Sequence, residues 1–148
     1  MSTMGDPDQV APARPARVGG DVGASSGRPF VLVVDDASEM RSLLRDVLEP
    51  SGYEVATAAS SAGALAAMSQ RVPDLVITDL MMPGMSGISL RAVMLRRAEL
   101  ASVPVIVLSA YWARPGETLD AVAVLPKPVN LDRLLDSVEL ALAQAARA

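Results

Sequence analysis

Residues 75–79 read Leu75-Val76-Ile77-Thr78-Asp79, an apolar run that ends abruptly in a carboxylate. A continuous apolar run, without polar alternation, marks a strand buried on both faces. Phe30-Val31-Leu32-Val33-Val34 repeats the pattern and ends in Asp35-Asp36. Pro104-Val105-Ile106-Val107-Leu108-Ser109 repeats it again. Shorter strands fit Tyr53 to Ala58 and Val122 to Leu125. Between the strands the apolar spacing turns helical. Met40, Leu43, Leu44, Val47 and Leu48 place a helix over Ser38 to Glu49, stopped by Pro50-Ser51-Gly52. Helices are also expected over Ser61 to Arg71 and Ile88 to Leu100. A final helix, Leu131 to Ala146, follows an Asn130 cap.

Buried strands alternating with helices give a parallel sheet covered on both faces, an α/β fold. Five strands and five helices fit the chain if the fourth helix, after Ser109, is very short. In such a sheet ligands sit outside the carboxyl ends of the strands. The residues at those ends are Asp35, Asp36, Ala58, Asp79 and Ser109, with Lys127 just past the last strand.

Composition narrows the chemistry. Of 148 residues, 51% are hydrophobic and 20% charged, enough apolar material for one packed domain. With no Cys and no His, thiolate sites, histidine general bases and serine or cysteine triads are excluded. Any metal must be held by oxygen, which selects a hard cation. A net charge of −4 argues against a nucleic-acid or anionic-membrane surface. The chain contains neither a membrane-length apolar run nor the apolar core of a signal peptide, so a cytoplasmic location is expected. Residues 1–29 hold five of the ten glycines and four of the eleven prolines, and no Leu, Ile or Phe. That stretch is expected to be a disordered arm ahead of a single domain over 30–148.

Three acids at the ends of adjacent strands repel one another unless a cation sits among them. A single strand-end Asp is commonplace; three on neighbouring strands are harder to dismiss. Lys127, the one lysine against twelve arginines, lies between Pro126 and Pro128. Its ammonium is a compact charge suited to a phosphoryl oxygen. Ser109 could donate to the same oxygen, although strand-end serines often bond only to nearby backbone. Together these are the parts for phosphoryl transfer to a carboxylate, which is largely positioning and charge neutralisation.

In this order and on these strand ends, four motifs make residues 29–148 resemble the receiver domain of two-component response regulators, of single-domain type. They are Val33-Val34-Asp35-Asp36, Asp74 to Gly87, Val107-Leu108-Ser109-Ala110 and Pro126-Lys127-Pro128. The resemblance implies a flavodoxin-like, doubly wound, five-stranded parallel sheet of order 2-1-3-4-5. It makes Asp79 the phospho-acceptor and Mg2+ the cofactor. Asp36 and Asp79 would hold the metal directly, Asp35 through water, and Met81 through its backbone carbonyl. Ser109 matches the switch hydroxyl and Lys127 the lysine that pairs with the phosphoryl group. The implied donor is a phosphohistidine on a sensor histidine kinase or phosphotransfer protein, docking on the first and last helices. The protein would then be a switch rather than a turnover enzyme. It would signal to a further protein by contact, as a monomer or weak homodimer.

Two departures stand out. The aromatic switch that the family carries three residues before the lysine is Val124 here. The span from Ser109 to Lys127 is shorter by roughly one helical turn, about four residues, so the fourth helix is expected to be shortened or irregular. Tyr111 or Trp112 could replace the missing switch, or the two could simply cover the shortened helix. A phosphorylation-independent binding module of the same fold is the alternative, favoured by these departures and disfavoured by the complete acid, hydroxyl and lysine set. A phosphohydrolase with an aspartate nucleophile would want a second acid where Met81 stands. The chain ends about twenty residues after Lys127, so no output domain is expected to follow.

Overall fold

The computed structural model describes residues 27–110 and 121–147. Five parallel strands form one sheet: β1 (Phe30–Val34), β2 (Glu54–Ala58), β3 (Leu75–Asp79), β4 (Val105–Ser109) and β5 (Ala123–Pro126). Their order is β2-β1-β3-β4-β5. The described helices are α1 (Ser38–Leu48), α2 (Ser61–Gln70), α3 (Gly87–Leu95) and α4 (Leu131–Arg147). The expected irregular helix after Ser109 falls among residues outside those described, as do Tyr111 and Trp112.

Strand alternation sorts the core into two layers. Leu32, Val34, Val76, Val105 and Val107 face α2 and α3, meeting Ala64, Met68, Leu90 and Met94. Val31, Val33, Leu75, Ile77, Ile106 and Leu108 face α1 and α4, meeting Leu44, Leu48, Leu134 and Val138. Every residue of β1, β3 and β4 is buried, which accounts for their unbroken apolar spelling. Each fully buried aliphatic side chain contributes ~1.5–3 kcal/mol. β2 and β5 flank this trio and are only partly buried, so their sequences are less apolar.

The helix expected over Ile88 to Leu100 is shorter in the structure. α3 stops at Leu95, and residues 96–102 continue as tight turns, with Arg97 N–H donating to Met94 O and Leu100 N–H to Arg97 O. The apolar period persists because Leu100 and Val103 are still buried against the sheet. The buried Arg91 guanidinium ties this segment down, donating to Val103 O at 3.0 Å and Ala101 O at 3.5 Å. The Asn130 cap is present: its Oδ1 accepts from Arg133 N at 3.0 Å. Gly52, at φ +103, makes the expected turn after α1. Among the described residues, no helix is long and apolar enough to cross a membrane.

Candidate functional site

The sheet order makes β1 and β3 neighbours, with Val34 beside Thr78, so Asp35 and Asp79 leave the sheet side by side. One carboxylate oxygen from each of Asp35, Asp36 and Asp79 lies within 4.8 Å of the other two. Asp35 and Asp79 are buried and Asp36 is exposed, so the cluster opens to solvent on one side. Asp35 Oδ1 accepts from Ala37 N at 2.9 Å, which fixes the turn into α1. Burial pushes the Asp79 carboxyl above its ordinary range; Asp35 adds to this, while Lys127 and the Met81 N–H act in the opposite sense.

β4 and β5 complete the edge. Ser109 ends β4, is buried, and pairs in register with Pro126 of β5. Ser109 O accepts from Lys127 N at 3.0 Å, which fixes the start of the segment carrying the lysine. The Lys127–Pro128 bond is cis. Lys127 Nζ then reaches 3.4 Å from Asp35 Oδ2 and 3.4 Å from Asp79 Oδ1. One ammonium therefore serves two carboxylates.

Leu80 to Ser86 forms the loop beside Asp79. Leu80 N–H donates to Leu108 O, and Met81 N–H approaches Asp79 Oδ1 at 3.4 Å. The Met81 side chain is 66% exposed, so it contributes little packing and its backbone is the part aimed at the cluster. Gly87 closes the loop by donating to Leu80 O at 2.9 Å. A Cβ on Gly87 would lie 2.6 Å from Asp79 O, so only glycine fits. Val124 sits on β5, 38% exposed.

All six residues singled out from the sequence thus lie at one end of the sheet. Three others escaped that reading. Arg41 of α1 donates to Asp35 O at 2.8 Å. Ser61, buried at the start of α2, donates to Met85 O at 2.9 Å. Gly87 sets the approach of α3 to Asp79. A glycine opening a helix was a legible signal for the third. The first two bond to backbone carbonyls, six and 24 residues away, and local pattern holds no trace of such contacts.

The donor set suits a hard divalent cation. Among the described residues it offers three carboxylates and no nitrogen ligand, and it leaves two buried acids close enough to repel.

Comparison with known proteins gives a consistent result. The family model described as response regulator receiver domain matches residues 31–139. Sporulation initiation phosphotransferase F of Bacillus subtilis is 32% identical over 115 residues, covering 74% of this chain and 90% of that protein. The sensor histidine kinase TmoS of Ectopseudomonas mendocina is 45% identical over 94 residues, covering 64% of this chain but only 9% of the kinase. Among solved structures, the signal receiver domain of a signal transduction histidine kinase from Syntrophus aciditrophicus superposes with a TM-score of 0.75 at 26% identity. That match covers 81% of this chain and 94% of the other.

Proposed function

Because the chain belongs to the response regulator receiver domain family, a family of phosphorylation-accepting switches, we propose that Asp79 is its phospho-acceptor. The donor is a phosphohistidine on a sensor histidine kinase or a phosphotransfer protein in the cytoplasm. The output is contact with a further protein. The observation that carries this reading is the double engagement of Lys127, 3.4 Å from both Asp35 and Asp79 inside the acidic cluster. A phosphorylation-independent module has no use for a buried charge arrangement of that cost.

In this reading a carboxylate oxygen of Asp79 attacks phosphorus, and the bond from phosphorus to the donor ring nitrogen breaks, the nitrogen keeping the electron pair. Lys127 sits where it can pair with a phosphoryl oxygen, and the Ser109 hydroxyl donates to another. Asp36 and Asp79 would hold Mg2+ directly, Asp35 through water, and Met81 through its carbonyl. Bound Mg2+ offsets the negative charge of the carboxylates and of the phosphoryl group. No histidine is required in the receiver, since a carboxylate is already ionised at neutral pH.

The test is the mass of the intact protein after incubation with Mg2+ and acetyl phosphate, quenched in acid, beside Asp79→Asn. One added phosphoryl group, lost in Asp79→Asn, supports the assignment. No addition to a protein that also fails to bind Mg2+ sinks it and leaves the binding module.

A further inference from the structure

Beside the buried Met82 side chain, three hydrogen bonds to backbone oxygens fasten the loop after Asp79. Its first residue is held by Leu108 O and its last turn by the bond from Gly87 to Leu80 O. The third comes from a side chain on another helix. Ser61, at the start of α2, donates from Oγ to Met85 O across 24 residues of sequence, at 2.9 Å. The Ser61 residue is buried, 2% exposed, so this is not a hydroxyl trading partners with water. The neighbouring Ser60 already caps α2 by accepting from Gly63 N, which frees Ser61 from local capping. Met85 also packs at the margin of the core layer under α2 and α3.

We propose that Ser61 is a positioning residue for the phospho-accepting loop: its bond to Met85 O sets where the Met81 carbonyl stands relative to Asp79. The inference rests on the reading of this site as a Mg2+ and phosphoryl site. Leu80 and Gly87 anchor the two ends of the loop; between them Met82 is buried, whereas Met81 is 66% exposed and its N–H reaches Asp79 Oδ1 only at 3.4 Å. Its carbonyl therefore inherits its position from the backbone between those ends. Without the Ser61 hydroxyl, Met85 O loses this donor and residues 81–86 gain freedom that metal binding must then remove. The expected loss of Mg2+ affinity is about fivefold, the factor one ordinary hydrogen bond makes in an equilibrium constant.

The test measures Mg2+ binding to the full chain by calorimetry, together with amide exchange across residues 81–86. It compares wild type, Ser61→Ala, Ser61→Cys and Ser69→Ala. Ser69 is an exposed hydroxyl on the same helix that donates to Ala66 O and does not touch the loop. Cysteine keeps the side-chain volume but donates weakly. The expected result is weakened Mg2+ binding and faster exchange confined to 81–86 in both Ser61 variants, with Ser69→Ala like wild type. Ser61→Ala binding Mg2+ as wild type does overturns the inference and leaves the site assignment standing. Ser61→Cys behaving as wild type while Ser61→Ala does not would make the effect one of volume, which also overturns it. No Mg2+ binding by wild type defeats the site assignment itself, and the inference with it.

Discussion

Lys127 Nζ stands 3.4 Å from Asp35 Oδ2, joining residues 92 apart in the chain. Asp35 is almost wholly buried, 1% exposed at its side chain, whereas Lys127 keeps 23% exposure. The lysine thus carries its charge inward from the rim and compensates two acids largely shielded from water. Removing it as Lys127→Met should leave Asp35 and Asp79 facing each other without a counter-charge. The expected cost is about 3 kcal/mol of stability near neutral pH. Denaturant titration of wild type and variant measures it. Added Mg2+ should recover part of the loss, because a second cation can take the lysine's place between the carboxylates.

The raised titration of Asp79 carries a sign for stability. An acid whose folded pKa lies above its unfolded value favours folding below the unfolded pKa and loses that contribution as pH rises through the folded one. Ionised Asp79 therefore weighs against the fold at neutral pH, with burial as the largest cause and Asp35 next among those that raise it. In the absence of Mg2+, Asp79→Asn should melt at a higher temperature than wild type at pH 7. The difference should shrink as pH falls through the carboxylate range, and Mg2+ should narrow it at pH 7. Thermal melts at several pH values, with and without Mg2+, check this; an Asp79→Asn protein less stable at pH 7 would refute it.

Gly87 is held against the end of β3 more tightly than any side chain allows. A Cβ there would meet Asp79 O at 2.6 Å and Leu80 Cα at 3.2 Å, both backbone atoms that cannot swing aside. Gly87→Ala should push α3 away from β3 at a cost of about 1–3 kcal/mol. Because the strain falls on Asp79 itself, the phosphorylation rate should fall further than the melting temperature implies. Parallel melts and phosphorylation time courses separate the two effects.

With Asp79 as the proposed phospho-acceptor, Met81 should affect the lifetime of the phosphorylated state. Its side chain is exposed beside Asp79 and offers no acid or amide to orient an attacking water. Slow self-dephosphorylation is expected. Met81→Asn should raise the rate about tenfold, below the ~10²–10⁴ that a fully placed acid or base contributes. Loss of the added phosphoryl mass over time gives the rate, and an unchanged rate in Met81→Asn would count against the idea.

The far end of the sheet offers a prediction about stability alone. Arg71 makes two bonds to Glu54, at 2.7 and 3.0 Å, and its guanidinium lies 4.1 Å from the centre of the Phe30 ring. The pair is largely shielded from water and has forked geometry, so it is worth more than a surface ion pair. Arg71→Ala should cost about 1–2 kcal/mol and leave phosphorylation unchanged. A denaturant titration and a phosphorylation time course together test both halves of that statement.

The alternation of apolar runs and helical periods already determined the parallel sheet, because a strand buried on both faces leaves no room for polar residues. The acids at the ends of two such runs, and the one lysine past the last, were visible for the same reason: charge stands out where burial is expected. The end of α3 was not. Leu100 and Val103 keep the apolar period, yet Arg91 draws the chain into turns by seizing two carbonyls beyond it. The bonds from Arg41 to Asp35 O and from Ser61 to Met85 O were equally invisible. Each joins a side chain to a backbone oxygen, six residues away in one case and 24 in the other, and every residue type carries that oxygen. The sequence alone determined which charged groups reach the edge of the sheet. Tertiary structure decided how they are held there, because hydrogen bonds to the backbone depend on where the chain passes and not on what it spells.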